Sequence, residues 1–171
     1  MSRQKWFDKK FQFELSHNEY ELILSRLNEN PELISNLVSL LPVAILTKKV
    51  DNGWSIQENV GHFIDLEELH TGRIDDFTAG KETLRPADLN NKKTDVANHN
   101  NENINDLLKK LKSAREDFVS KMKNLDAKIL KRSSIHPRLN QPMRPIDMAQ
   151  FVLEHDERHI ETIKELMKKN Q

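Results

Sequence analysis

The C-terminal stretch of residues 145–167 constrains the fold more than any other part of the sequence. Pro145 suits the first position of a helix, where its missing N–H is not needed, and Lys168 and Lys169 suit the negative end of the helix dipole. At about 100° per residue, one narrow face collects four apolar side chains: Met148, Val152, Ile163 and Leu166. The stretch therefore predicts a long amphipathic helix whose apolar face other elements must cover.

Two histidines interrupt that apolar face. His155 and His159 lie one turn apart, so their imidazoles point in the same direction and can share one metal ion. Ordinary core histidines are the alternative, and spacing alone leaves both interpretations open. The pattern is not the H-E-x-x-H of metalloproteases, because Asp156 follows the first histidine. No Cys, Asp or His follows His159, so a third ligand has to come from another helix.

Composition favours a single all-α domain. The 171 residues suit one domain, which we place at 1–171, and the 4 glycines favour helices. Lys+Arg and Asp+Glu both number 27, so no surface for nucleic acid is expected. No apolar run reaches the ~20 residues of a membrane span, and residues 1–10 lack the apolar core of a signal peptide. We therefore expect a cytoplasmic protein without nucleic-acid or membrane partners.

Capping patterns indicate where the first helices begin. Ser16 and Glu19 form a capping box ahead of apolar residues at helical spacing. Asn30 followed by Pro31 reads as a cap and a first helical position, which predicts that a new helix starts there and ends at Pro42.

The middle of the chain predicts two parallel helices joined by a long connection. Ser55 and Glu58 form a second capping box, and the helix that they begin extends to about Phe77. A further helix covers about residues 102–125, after a polar crossing segment at 79–100. The ~22 residues of that segment can span ~70 Å, whereas a helix of that size is only ~33 Å long. We therefore predict a four-helix bundle with up-down-down-up topology and a long crossover.

The helix that begins at Ser55 offers two candidates for a third metal ligand. His62 lies at the edge of its apolar arc and His70 lies nearer the middle, and the spacing does not choose between them. His99 falls in the polar, Asn-rich crossing segment and is predicted to be exposed.

Three stretches together resemble the DinB/YfiT-like superfamily of four-helix-bundle metalloproteins. Residues 53–62 are similar to its W-S-x-x-E-x-x-x-H motif, and residues 151–160 are similar to its final H-x-x-x-H helix. Between them, His136, Pro137 and Leu139 are similar to its H-P-x-x-G loop. The order and spacing of the motifs cover nearly the whole chain, so the set is more specific than any one of them.

The resemblance implies a metal site made by one histidine of the second helix and two of the last. Carried over to this sequence, the ligands are His62, His155 and His159, which favours His62 over His70. Two positions depart from the family pattern, and neither is a predicted ligand.

The first departure is Asn140, which stands where the loop usually has glycine. Asn tolerates a left-handed conformation, so the turn can be kept. The second is Arg144, which stands where a capping Thr is common, so we expect the last helix to begin with a weaker cap.

The resemblance also implies chemistry at an open metal site. Three neutral imidazoles leave at least one position open on zinc or nickel, the ions that we expect as cofactor. Such a site can activate water, as in hydrolases of the family, or a thiol, as in members that transfer bacillithiol or use mycothiol in an isomerisation. We expect transfer of a low-molecular-weight thiol to an electrophilic small molecule. A metal-dependent hydrolase and a non-catalytic small-molecule- or metal-binding stress protein are the alternatives.

Two carboxylates close to the predicted ligands could accept a hydrogen bond from a ligating histidine or act as a general base. Glu58 lies one turn before His62, although completing the capping box is its simpler role. Asp156 adjoins His155 but lies about 100° from the ligand face, so we expect it to orient a neighbour rather than touch metal. No residue is assigned a catalytic role, and a homodimer stays open as the assembly.

Overall fold

Helices dominate the computed structural model, which describes residue 6, residues 9–13 and residues 15–170. In chain order they are α1 (His17–Val38), α2 (Val43–Leu46), α3 (Ile56–Thr78), α4 (Lys92–Val96), α5 (Ile104–Lys123), α6 (Ala127–Leu130) and α7 (Pro145–Lys169). The long helices α5 and α7 each pack against both α1 and α3, so α1 lies diagonally opposite α3 across the bundle. The predicted four-helix bundle is confirmed. In the described part of the chain, no helix has an apolar stretch long enough for a bilayer.

The two halves of the hydrophobic core show the direction of each helix. One cluster combines the first halves of α1 and α7 with the last halves of α3 and α5, and includes Leu24, Phe77, Phe118 and Val152. The other cluster combines the opposite halves and includes Ile34, Val60, Leu107 and Ile163. Helices α1 and α7 therefore run in one direction and α3 and α5 in the other, which confirms the predicted up-down-down-up topology.

Because α3 and α5 are parallel, residues 79–103 have to return along the bundle. This crossing segment contains α4 and a 3-10 turn at His99–Asn101. It is anchored at both ends: Asp76 of α3 accepts a hydrogen bond from the Arg85 backbone N–H at 2.9 Å. Near α5, Gln57 donates to the backbone oxygen of His99 at 2.6 Å. The segment is thus held against α3 rather than extended into solvent.

A small hairpin precedes α7 and attaches to the crossing segment. Its strands are β1 (Ser134–His136) and β2 (Gln141–Met143), paired antiparallel. The Leu84 N–H donates to the backbone oxygen of Ile135 at 3.0 Å. Asn140 has a φ of 50°, so this residue does adopt the left-handed conformation expected of the position.

Helix α1 continues through Pro31, so the predicted restart at Asn30 and Pro31 is wrong. Proline lacks the N–H that would bond to the carbonyl four residues earlier, which here is that of Leu27. The Arg115 side chain supplies a donor instead, because its Nη1 lies 3.4 Å from that oxygen. Asn30 is not a helix cap either, since its Nδ2 donates to Asp156 Oδ2 at 2.9 Å inside the core.

The start of α7 is held by an acidic side chain one turn into the helix. Asp147 Oδ2 accepts hydrogen bonds from the Arg144 backbone N–H and from its Nε, each at 2.8 Å. The expected weakness of this cap is therefore offset, because the carboxylate satisfies the N–H that a capping box would have satisfied.

A buried arginine joins all four long helices near the middle of the bundle. Arg115 of α5 donates from Nε to Glu67 of α3 at 2.7 Å, and it pairs with Asp156 of α7 and the backbone oxygen of Leu27 in α1. Burial works to lower the pKa of Arg115, but the two carboxylates raise it overall, so it stays charged. Burial raises the pKa of Glu67, an effect that Arg115 opposes. This cluster separates the two apolar halves of the core.

We expect Arg115→Met to lower the free energy of unfolding by ~3–5 kcal/mol, because two buried carboxylates lose their partner. The matched control is Arg26→Met, since Arg26 also contacts a carboxylate of α7, that of Glu157, but at the surface. The control should cost at most ~1 kcal/mol. Chemical denaturation followed by circular dichroism measures both variants, and equal losses would contradict a central role for Arg115.

Candidate metal centre

Histidines from two helices converge beside the core. His62 of α3 and His155 and His159 of α7 each offer a ring nitrogen, and these three nitrogens lie within 4.8 Å of one another. The ring centroids are 4.6 to 5.5 Å apart. The other candidate on α3, His70, lies outside this group, and its ring packs against Phe118 at 5.9 Å. The structure thus brings together the three residues to which the resemblance pointed.

The groups behind His62 fix which of its ring nitrogens carries the proton. Thr94 Oγ1 lies 2.9 Å from His62 Nδ1 and donates its own proton to Asp65 Oδ2 at 2.8 Å. The hydroxyl therefore accepts from the His62 Nδ1–H, which leaves the lone pair on Nε2. Burial lowers the pKa of His62 to about 4, although Asp65 works to raise it. The ring is thus neutral at pH 7.

The hydrogen-bond partners of His159 likewise determine which of its ring nitrogens carries the proton. Its Nδ1 lies 2.9 Å from Asn59 Oδ1, while Asn59 Nδ2 donates to the backbone oxygen of Ser55 at 2.8 Å. That second bond fixes the orientation of the amide, so the His159 Nδ1–H donates to the amide oxygen. Trp54 covers both rings, with its centroid 4.6 Å from His62 and 6.1 Å from His159. His159 therefore also carries its lone pair on Nε2.

His155 differs from the other two histidines in its surroundings. Its Nδ1 is buried and has no hydrogen-bond partner among the described residues. Its ring packs edge-on against Trp6, with 5.2 Å between centroids. Burial holds the pKa of His155 well below its usual range, and the nearby His62 lowers it further. A buried neutral nitrogen without a partner is costly, and a cation bound at that nitrogen would remove the cost.

These side chains fit a divalent cation. In a tetrahedral site with metal–nitrogen bonds of ~2.0–2.1 Å, the ligand nitrogens lie ~3.3 Å apart. The observed spread of up to 4.8 Å has to close by about 1.5 Å, which small rotations of the rings can supply. The imidazoles of His62 and His155 are held neutral, as metal ligands must be, and two of the three rings have acceptors behind them.

A chain of polar contacts continues outward from His62. Asp65 Oδ2 lies 2.9 Å from His99 Nε2, and His99 Nδ1 lies 3.1 Å from Glu102 Oε1. The predicted exposure of His99 is wrong, because the residue is only 5% exposed. Its ring lies against Gly61, where an added Cβ would stand 2.1 Å from the ring. The hydrogen bond to Asp65 raises the pKa of His99, although burial works to lower it.

The two carboxylates considered as outer partners are engaged elsewhere. Glu58 Oε2 accepts from the Ser55 backbone N–H at 2.9 Å, and its Oε1 lies 2.8 Å from Lys49 Nζ. Asp156 points into the core and pairs with Arg115, so the neighbour that it orients is an arginine rather than a histidine.

The residues that support the predicted ligands from behind are Asn59, which accepts from His159, and Asp65, which accepts from the Thr94 hydroxyl behind His62. The sequence analysis did not single them out. Both lie three residues from His62 on α3, which places them on its side of the helix. That spacing is the signal that could have found them. Thr94 carried no comparable signal, because nothing in the sequence indicates which part of the crossing segment meets His62.

A cavity of about 500 Å³ lies beside the three histidines. Helices α3 and α7, the crossing segment and the hairpin loop form its walls, and Leu66 and Phe151 contribute apolar surface. Its polar lining includes Arg73 and Arg138, while its acidic side chain among the described residues is Asp88. This volume suits a small organic ligand.

Two comparisons with known proteins agree with this architecture. The sequence profile described as the DinB superfamily matches residues 26–163. YfiT from Bacillus subtilis has a similar structure, with a TM-score of 0.82 and 20% sequence identity over 94% of this chain and 93% of that one. It is described as a probable metal-dependent hydrolase with an unusual four-helix bundle topology.

A mycothiol-dependent maleylpyruvate isomerase is similar at a TM-score of 0.65 and 11% identity, over 82% of this chain and 58% of that one. No curated protein matches the sequence with significance. At these identities the structural likeness establishes the fold, and the chemistry has to be argued from the site.

In the metal-free protein we expect His62 and His99 to titrate on opposite sides of their ordinary pKa. His62 should stay neutral until about pH 4, because burial lowers its pKa to about 4. Its protonation therefore costs stability as the pH falls below ~6.5, the value in an unfolded chain. The proton on His99 contributes stability below ~6.5 that is lost as the pH rises through its raised folded-state pKa.

Proton NMR of the imidazole C–H resonances measures both values, with His62→Gln and His99→Gln used to assign the signals. A His62 that titrates near ~6.5 would contradict the buried, hydrogen-bonded arrangement of this ring.

Proposed function

The chain belongs to the DinB superfamily, and on that premise we propose that His62, His155 and His159 bind one divalent metal ion at an enzyme active site. The observation that carries the proposal is the convergence of three imidazoles, two of which have their Nδ1–H committed to protein acceptors. Imidazole ligands favour zinc or nickel. Three protein ligands leave a position for a reactant, as in catalytic zinc sites.

The reaction that we propose is the transfer of a low-molecular-weight thiol to an electrophilic small molecule. When bound, the metal ion would supply a Lewis acid that lowers the pKa of a thiol or a water. The chain contains no cysteine, so the sulfur has to come from a small cosubstrate. The likeness to a mycothiol-dependent isomerase supports thiol chemistry, and the cavity of about 500 Å³ has room for two small reactants.

The side chains around the histidines have defined roles in this proposal. Thr94 and Asn59 accept the Nδ1 protons of His62 and His159, so that the Nε2 lone pairs stay available for the metal. Trp54 covers the same two rings and keeps water away from them. A drier site strengthens every electrostatic interaction inside it.

Hydrolysis is the second candidate reaction, and the description of YfiT as a probable metal-dependent hydrolase favours it. Activation of water usually needs a general base beside the metal. The acidic residue that lines the described cavity is Asp88, whose oxygens accept from the backbone N–H groups of Asn90 and Lys92. The shortage of a poised carboxylate places hydrolysis behind thiol transfer, and binding without turnover is the third alternative.

Purified without chelator or affinity nickel, the protein is expected to carry roughly one zinc or nickel ion per chain. His155→Ala or His159→Ala should abolish binding, because the two remaining imidazoles hold an ion poorly. His70→Ala is the matched control, since His70 is a buried histidine of α3 outside the group, and this variant should keep its metal. Elemental analysis gives the stoichiometry. A wild-type protein that takes up neither ion on titration would refute the metal site.

The metal-loaded protein is expected to accelerate the reaction of a small thiol with a chlorodinitrobenzene, in which a carbon–sulfur bond forms and chloride leaves. Acceleration should require both thiol and metal. The His159→Ala variant should therefore not accelerate the reaction, because it no longer binds the metal. Absorbance of the thioether product measures the rate, after subtraction of the rate with metal-free protein. Cleavage of a nitrophenyl ester without thiol would favour hydrolysis. A full metal site that turns over neither compound would favour the binding protein.

A further inference from the structure

Arg73 is a buried cation that makes no ion pair in the described part of the chain. The residue lines the cavity and is 2% exposed. Its Nε donates to the backbone oxygen of Arg85 at 3.1 Å, whereas its Nη2 is buried without a hydrogen-bond partner among the described residues. Burial lowers the pKa of Arg73 to about 10, so the guanidinium is still charged at pH 7. A buried charge of this kind is costly until an anion reaches it.

The carboxylate one turn further along α3 acts on Arg73 only from a distance: Asp76 works to raise the pKa of Arg73 but makes no ion pair with it. Asp76 receives three hydrogen bonds of 2.9 Å from Arg85, two from the side chain and one from the backbone. Lys81 Nζ lies 2.8 Å from the same carboxylate. The oxygens of Asp76 are therefore committed to two other cations.

His136 presents a second buried donor to the same cavity. The Leu139 backbone N–H donates to His136 Nδ1 at 3.2 Å, so the ring proton sits on Nε2. That Nε2 is buried without a hydrogen-bond partner among the described residues. Burial and the charges of Arg73 and Arg138 lower the pKa of His136 to about 3. The ring is thus a neutral N–H donor in a positive environment.

Arg138 brings a further positive charge to this part of the cavity. Its guanidinium lies 5.9 Å from the ring centroid of Trp6 and 5.6 Å from that of Phe151. Asp88, the acidic residue of the described lining, uses both oxygens to accept from backbone N–H groups. The cavity lining therefore includes two N–H donors without a partner among the described residues, those of Arg73 and His136, close to the positive charge of Arg138.

We propose that Arg73 and His136 bind a carboxylate of the ligand, with Arg138 adding charge, so that a reactant of this enzyme is a carboxylic acid. Two N–H donors need two acceptor oxygens, which a carboxylate supplies in one planar group. The inference rests on the proposed function in one respect, that the reacting group binds at the histidines of the same cavity.

The position of Arg73 also bears on the length of the ligand. Arg73 follows His62 by roughly three turns of α3, or ~16 Å along the helix axis. Helical side chains lean toward the N-terminus, so the Arg73 side chain shortens this separation. The carboxylate and the reacting group thus belong to the far ends of one elongated molecule, or to two molecules bound side by side.

The test compares an acid with its amide. Cobalt-loaded protein is titrated with 6-mercaptohexanoate and with 6-mercaptohexanamide, which share the thiol and differ in charge, and the thiolate-to-cobalt absorbance gives both dissociation constants. We expect the acid to bind on the order of ten- to a hundredfold more tightly. Hexanoate that binds alongside the mercaptoamide would assign the carboxylate to the second reactant, and hexanoate that competes with it would assign the carboxylate to the thiol.

Arg73→Gln should bring the affinity for the acid down to that for the amide while the affinity for the amide stays unchanged. The matched control is Arg132→Gln, because Arg132 donates to the backbone oxygens of Phe77 and Thr78 and does not line the described cavity. The control should keep the preference for the acid. Thermal unfolding without ligand separates the roles further: Arg132→Gln should lower Tm, whereas Arg73→Gln should leave it unchanged or raise it, because a costly buried charge is gone.

Failure of the inference and failure of the proposed function give different results. A protein that binds no cobalt refutes the metal site. The carboxylate site can then be tested alone, by titrating the metal-free protein with hexanoate and with hexanamide and following the ring resonances of His136 by NMR. Equal affinities for the mercapto acid and its amide in wild-type protein, together with equal binding of hexanoate and hexanamide, would overturn the inference. So would a preference for the acid that survives Arg73→Gln.

Discussion

The contact on which the rest of the structure depends is the buried pairing of Arg115 with Glu67 and Asp156. One guanidinium meets side chains or backbone of the three other long helices. Asp156 lies on α7 between the predicted metal ligands His155 and His159, about 100° around the helix from the first. Because Arg115 fixes where Asp156 points, it also fixes the rotation of α7 about its axis. The direction of both imidazoles is therefore set from inside the core, by a residue that touches neither of them in the described contacts.

Helix α3 combines three different polar tasks on one element. Its first turns carry Asn59, His62 and Asp65, which form the metal-side network. Glu67, in the middle, meets the central arginine, and Arg73 toward the end faces the cavity. These groups are buried or half-buried, so each needs a hydrogen-bond partner on another element. Most of those partners come from α5, α7 and the crossing segment, which explains why a helix with so many buried polar residues still packs on two neighbours.

Features that follow from spacing within one helix could be predicted from the sequence. The helical periods, the capping boxes and the paired imidazoles of His155 and His159 are of this kind, and the bundle topology followed from the length of the crossing segment. The choice of His62 over His70 needed the motif resemblance, because both lie on the apolar arc of α3. The burial of His99 could not be predicted, since it depends on Asp65, a residue 34 positions away.

The continuity of α1 through Pro31 escaped prediction for the same reason. It depends on a donor from Arg115, 88 positions away from the carbonyl that proline leaves without a partner. The donors of Arg73 and His136 became visible only when the fold placed both around one cavity. In each case the local sequence pattern was ordinary, and the structural outcome depended on a contact with a residue far away in the sequence.

The parallel arrangement of α3 and α5 has a consequence for how this protein can diversify. It forces residues 79–103 to travel back along the bundle, where they contribute Pro86, Leu89 and Asn91 to the lining of the cavity. This connection lies outside the apolar clusters except for Leu84. Mutation and selection can therefore reshape or lengthen this part of the lining while the histidines and the four helices are inherited unchanged, so descendants of one ancestral bundle can come to accept different reactants.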